Sequence, residues 1–126
     1  MADSIRIISV VDDDHSMSRM LCRVLTSEGF AVISFASAEE FLESERAQDS
    51  DCLILDMNLP GMSGSELHQQ LLNQKIDIPI VFISADADEA TQRRALDDGA
   101  AGFLSKPFSL ESLLSLVRSV ALLTIA

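Results

Sequence analysis

Short apolar runs of strand length alternate along this chain with segments of helical period, and that alternation limits the fold more than any other feature. Runs at residues 5–11, 30–35, 52–55, 81–83 and 101–104 are separated by stretches whose apolar residues recur at helical spacing. The pattern predicts an α/β chain: a doubly wound parallel sheet of five strands, with five helices covering both faces. At 126 residues, 48% of them hydrophobic, there is material for one core and one domain spanning 1–126.

Four of these runs lead into polar residues that can do chemistry. Asp12 and Asp13 follow the first, Asp56 the third, Ser84 the fourth, and Lys106 stands just past the fifth. In a parallel sheet all of these endings come out on one rim, and open α/β sheets bind their ligands at the carboxyl ends of strands. Adjacent strands lie about 4.8 Å apart, so carboxylates ending neighbouring strands crowd together and need a cation. Hard oxygen ligands without His or Cys favour Mg2+, with Asp12 and Asp13 as first candidates.

The run before Asp56 is apolar on both faces and therefore central. A carboxylate at its end can attack phosphorus and form an acyl phosphate. Lys106 offers a fixed positive charge to a phosphoryl oxygen, and Ser84 a hydroxyl to another. Each residue also has a bland reading: solvated acids at a strand end, a helix-capping Asp56, a surface lysine. Their convergence on one rim, and the Asn-Leu-Pro-Gly turn at 58–61 that separates Asp56 from the next helix, favour the chemical reading. His15 reads as an exposed residue of the loop or first turn and not as a ligand.

A formal charge of -11 argues against this chain gripping a nucleic-acid backbone, which requires Lys and Arg in excess. It suits a divalent cation or a basic partner, although most of the 20 acidic side chains belong to solvated faces. Cys22 and Cys52 form neither a disulfide framework nor a metal motif and read as core thiols. No export signal and no apolar stretch near the roughly 20 residues of a membrane helix is visible, so a cytoplasmic location without membrane contact is expected.

Met17, Met20, Leu21, Val24 and Leu25 form one apolar stripe, closed by Gly29 as a helix C-terminal glycine. Ser37 to Glu40 and Ser63 to Glu66 have capping-box spacing, which predicts helices starting near Ala38 and Gly64. A fourth helix near residues 89–98 has Leu96 as its one large aliphatic residue, so weak anchoring is expected. The last helix starts after Ser109 and sets Leu110, Leu113, Leu114, Val117 and Ala121 on one side. Leu116, Val120 and Leu123 widen this stripe enough to suggest contact with another chain or domain.

At these residues the chain resembles the receiver domains of two-component response regulators, over about 5–123 and with the spacing of FixJ- and NarL-type receivers. The motifs are Val-Val-Asp-Asp-Asp at 10–14, Leu-Asp-Met-Asn-Leu-Pro-Gly-Met-Ser-Gly at 55–64, Phe-Ile-Ser-Ala at 82–85 and Gly-Phe-Leu-Ser-Lys-Pro-Phe at 102–108. The resemblance implies a flavodoxin-like sheet of order 2-1-3-4-5. It further implies that Asp56 accepts a phosphoryl group from the phosphohistidine of a sensor histidine kinase or phosphotransfer protein. Mg2+ would be held by Asp13, Asp56 and the backbone carbonyl of Asn58, with Asp12 assisting through water. Ser84 and Lys106 would contact the phosphoryl oxygens, and the Lys106–Pro107 bond would be cis.

In the family Phe103 occupies the aromatic switch position that moves inward with Ser84, and the face of the fourth helix, fifth strand and last helix dimerises or docks. The chemistry is self-phosphorylation and self-dephosphorylation, not turnover of a separate substrate. Ser84 stands where threonine is commoner, and Phe103 lacks the phenolic hydroxyl that many members carry. Polar Asn58 and Asp86, two positions beyond Asp56 and Ser84, favour a short-lived phosphoryl group. Many relatives continue into a DNA-binding domain, so the chain is either a stand-alone receiver or the N-terminal part of a longer regulator.

Two other readings compete. Asp12-Asp13-Asp14 resembles the Asp-x-Asp of haloacid dehalogenase phosphatases, which would make Asp12 the nucleophile; that family needs a further acid pair after the lysine, and only Glu111 is acidic beyond Lys106. A receiver-like docking module that works without phosphorylation is the second.

Overall fold

Strands β1 (Ile7–Val11), β2 (Ala31–Phe35), β3 (Cys52–Asp56), β4 (Ile80–Ser84) and β5 (Gly102–Ser105) form one parallel sheet in the order 2-1-3-4-5. Helices α1 (His15–Ser27), α2 (Ala38–Glu43), α3 (Gly64–Asn73), α4 (Glu89–Asp97) and α5 (Leu110–Leu123) connect or follow them, with a 3-10 turn at Arg46–Asp49 before β3. The computed structural model describes residues 6–86 and 88–123, apart from the side chains of Arg46, Leu122 and Leu123. Ile5 and the side chain of Leu123, both counted in the apolar patterns above, lie outside the described residues.

Period-two alternation along the central strands divides the interior into two cores. Leu53 and Leu55 of β3 join Val11, Phe82, Phe41, Leu67 and Leu71 under α2 and α3. Cys52 and Ile54 point the other way, onto Ile8, Val10, Val81, Ile83, Leu21, Leu113 and Val117 under α1 and α5. All residues of β3 and β4 are buried, as expected for strands covered on both faces. The chain runs outward from β1 to β2 on one side and through β3, β4 and β5 on the other. The reversal therefore falls between β1 and β3, with Asp12 just past the end of one and Asp56 ending the other.

Local chemistry sets the helix ends. Asp14 caps α1 by accepting from the N–H groups of Ser16 and Met17, Ser63 and Glu66 form a complete capping box on α3, and Ser109 accepts from Ser112 N–H at α5. At α2 the box is split: Ser37 accepts from Glu40 N–H, but the Glu40 carboxylate reaches back to Ala36 N–H. Gly29 ends α1 with φ +98°.

Two details of packing differ from the sequence pattern. Leu96 of α4 is 47% exposed, and the helix is seated through the small side chain of Ala95 instead. In α5, Leu110 is 45% exposed, while Val120 is buried in the second core and Leu116 packs against it. Part of the stripe that suggested an external partner is thus covered by this chain itself, because α5 lies close on β5: a Cβ at Gly102 would come within 2.8 Å of Leu116.

Candidate functional site

The ends of four strands deliver the acids, the hydroxyl and the lysine to one place on the sheet's carboxyl rim. Asp12 follows β1, Asp56 and Ser84 are the last residues of β3 and β4, and Lys106 comes one residue after β5. Lys106 Nζ bridges Asp12 Oδ2 at 3.3 Å and Asp56 Oδ2 at 3.1 Å. Its own backbone N–H donates to the carbonyl of Ser84 at 2.7 Å, and the Lys106–Pro107 peptide bond is cis.

Each carboxylate spends its other oxygen on a backbone N–H two residues ahead. Asp12 Oδ1 accepts from Asp14 at 2.9 Å, and Asp56 Oδ1 from Asn58 at 2.8 Å. These turns fix both carboxylates. Asp12 is 1% exposed and Asp56 6%, whereas Asp13 is exposed beside them. One oxygen each from Asp12, Asp13 and Asp56 lie within 4.8 Å of one another, a set that could hold a metal ion. The third acid of the run, Asp14, serves as a helix cap, which explains why three consecutive aspartates supply only two groups to the rim.

Electrostatics follow from this crowding. Burial, helped by repulsion from Asp56 and opposed by the Asp14 N–H and Lys106, pushes the Asp12 carboxyl up to about 6. Burial works against the charge on Lys106, but its bonds and proximity to Asp56 and Asp12 outweigh that and raise its pKa. Lys106 pairs with two of the three acids, so the rim carries an excess of negative charge that a divalent cation would offset.

Ser84 is buried, and its Oγ accepts a bond from Asn58 Nδ2 at 3.1 Å and a longer one from Asp86 N–H at 3.4 Å. The Asn58 side chain was not among the groups picked from the sequence for chemistry at Ser84. Phe103, on β5, is half-buried against Phe82, with ring centroids 6.3 Å apart. His15 is exposed at the start of α1.

A five-stranded parallel sheet of this order, with aspartates and a lysine gathered at the switch point of its carboxyl rim, defines the doubly wound, flavodoxin-like class. The chain belongs to the response regulator receiver domain family, which matches residues 8–118. It is 43% identical over 111 residues to nodulation protein W of Bradyrhizobium diazoefficiens, covering 88% of this chain and 49% of that protein. Among solved structures it is similar to the response regulator StyR, with TM-score 0.86 and 43% identity over 95% of this chain and 61% of that one. It is also similar to FixJ-N, with TM-score 0.84 and 33% identity over 100% and 99%. The chain spans about half the length of the curated relatives it matches. No described helix is long and apolar enough to cross a membrane.

Proposed function

We propose that this receiver takes a phosphoryl group onto Asp56 from the phosphohistidine of a sensor histidine kinase or phosphotransfer protein, in a Mg2+-dependent reaction. The observation that carries the reading is the fixation of the Asp56 carboxylate, between Asn58 N–H at 2.8 Å and Lys106 Nζ at 3.1 Å, at the sheet's switch point. An Asp56 oxygen attacks phosphorus, the phosphorus–nitrogen bond to the donor imidazole breaks, and that nitrogen leaves with the bonding pair. Lys106 meets the charge on the phosphoryl oxygens, and the Ser84 hydroxyl donates to another of them. Asp13, Asp56 and the Asn58 carbonyl would hold Mg2+, with Asp12 acting through water; the cation would supply charge that draws the phosphoryl oxygens to this acidic rim.

The donor set suits that cation: it is all oxygen, it carries more negative charge than Lys106 balances, and it is partly open through exposed Asp13. Phosphorylation would draw Ser84 from its bond with Asn58 toward Asp56, and Phe103 would follow inward. The α4-β5-α5 face then changes shape to engage an output domain, a partner or a second copy. The seating of α4 through Ala95 is in keeping with an element that moves. The chain works on its own phosphoryl group, turns over no separate substrate, resides in the cytoplasm and does not itself grip nucleic acid.

Intact mass after incubation with Mg2+ and a small acyl phosphate tests this. A phosphate-sized increment in the wild type, lost in Asp56→Ala, is expected. No increment in either would favour a docking module that works without phosphorylation, and an increment that survives Asp56→Ala would move the acceptor elsewhere.

A further inference from the structure

The loop from β3 to α3, residues 57–63, carries Asn58 and is held from outside at two points. At its base, Gly64 N–H donates to the Met57 carbonyl at 3.2 Å, and a Cβ on Gly64 would lie 2.4 Å from the Asp56 carbonyl oxygen. At its far end, Met62 N–H donates to Glu39 Oε2 at 2.9 Å, across 23 positions of sequence. Gly61 beside it has φ +74°, and a Cβ there would come 2.8 Å from the same carboxylate oxygen. Glycine therefore meets both the backbone conformation and the close approach of Glu39.

Glu39 reaches the loop from a fixed base. It lies in the first turn of α2, capped by Ser37, and its neighbours Ala38 and Phe41 are fully buried in the core. The Met62 N–H holds its carboxyl below the usual range, so the side chain is an ionised acceptor at neutral pH.

We infer that Glu39 is a positioning residue for the divalent cation: by tying the loop to α2 it fixes the backbone of Asn58, whose carbonyl completes the ligand set with Asp13 and Asp56. The inference rests on the Mg2+-dependent reading above. A loop held in its binding geometry before the cation arrives loses less freedom on binding, and that difference appears as affinity. Leu59 is also buried and anchors the same loop, so Glu39 shares the task and its removal should weaken binding without abolishing it.

The test is calorimetric titration of the metal-free chain with Mg2+, on wild type, Glu39→Ala, Glu39→Gln and Asp13→Asn, with hydrogen exchange of the Met62 amide followed alongside. Glu39→Ala should weaken Mg2+ by about three- to tenfold, at or below the lower end of the loss seen when a group bonded directly to a ligand is removed. Its Met62 amide should exchange faster, while melting without Mg2+ stays near wild type. Glu39→Gln should keep near wild-type affinity, because its amide oxygen can accept the same N–H. Glu39→Ala binding as wild type despite faster Met62 exchange would overturn the inference. Glu39→Gln failing as badly as Glu39→Ala would also overturn it, since the lost charge and not the bond would then be responsible. Failure of the wild type to bind Mg2+, or Asp13→Asn binding as well as wild type, would instead sink the parent reading.

Discussion

The side-chain amide of Asn58 donates to the hydroxyl of Ser84 at 3.1 Å, linking the loop after β3 to the end of β4 across the site. For Ser84 to serve a phosphoryl group on Asp56, its hydroxyl must turn toward that group and leave this arrangement. On the proposed function the bond is made in the resting state and lost in the active one, and a neutral bond is worth about 0.5–1.5 kcal/mol. Asn58→Ala should bind a non-covalent phosphoryl mimic, added with Mg2+, up to about tenfold more tightly than wild type. Equal or weaker binding would mean that Asn58 steadies Ser84 in both states.

Lys106 and Asp12 should respond to substitution with opposite signs. Lys106→Met leaves two buried carboxylates facing each other without their cation. The loss should be about 1–3 kcal/mol, short of the 3–5 kcal/mol of fully buried pairs, because the Lys106 side chain keeps 19% exposure. Asp12→Asn removes a carboxylate that burial and Asp56 disfavour in its charged form, so the metal-free protein should melt higher than wild type at neutral pH. Added Mg2+ should stabilise wild type more than Asp12→Asn. Thermal melts with and without Mg2+ decide this, and a lower midpoint for metal-free Asp12→Asn would refute the electrostatic account.

Those two contacts also mark where the sequence is legible. Asp12, Asp56 and Ser84 could be placed because each ends an apolar run, and a parallel sheet carries every such ending to the same rim. The capping signals at Ser37, Ser63 and Ser109 are local and could be read directly. The Asn58–Ser84 and Glu39–Met62 bonds join residues 26 and 23 positions apart, and no periodicity encodes which polar side chain in a loop meets which. Helical spacing groups Leu110 with Leu113 and Val117, but α5 only begins at Leu110, and its side chain stays 45% exposed. In α4 the pattern singles out Leu96 by its size, whereas the face that meets the core carries Ala95.

The two thiols should differ in reactivity. Cys52 is fully buried in β3, and burial, with a smaller contribution from the charge of Asp51, pushes its thiol up to about 12. Cys22 in α1 is only partly buried. Alkylation of the native protein followed by peptide mapping should find label on Cys22 alone, with Cys52 modified only in denaturant. Rapid native labelling of Cys52 would show that β3 opens far more readily than a central strand should.

His68 gives the fold a pH dependence of its own. It is a buried residue of α3, its ring set edge-on to Phe82 at 5.6 Å, and it lines a cavity of about 280 Å3 between α3 and α4 with Met57, Arg94 and Asp98. Burial lowers its pKa below the 6.5 of a solvated imidazole, with Asp98 acting in the opposite direction. The unfolded chain thus takes up the proton first. The stability contributed by neutral His68 is complete above 6.5 and is lost as pH falls through that value toward the lower folded pKa. Denaturant unfolding should show wild type losing stability as pH falls below about 6.5, and His68→Gln should flatten that slope. A charged imidazole beside Phe82 would strain the wall that α4 closes, and α4 is seated mainly through Ala95. Amides of α4 should therefore lose hydrogen-exchange protection on acidification before those of β3 and β4, and His68→Gln should remove that order. A slope unchanged in His68→Gln would take the acid sensitivity away from His68, and Asp12 could not supply it, because its raised pKa makes the folded state bind the proton first on acidification.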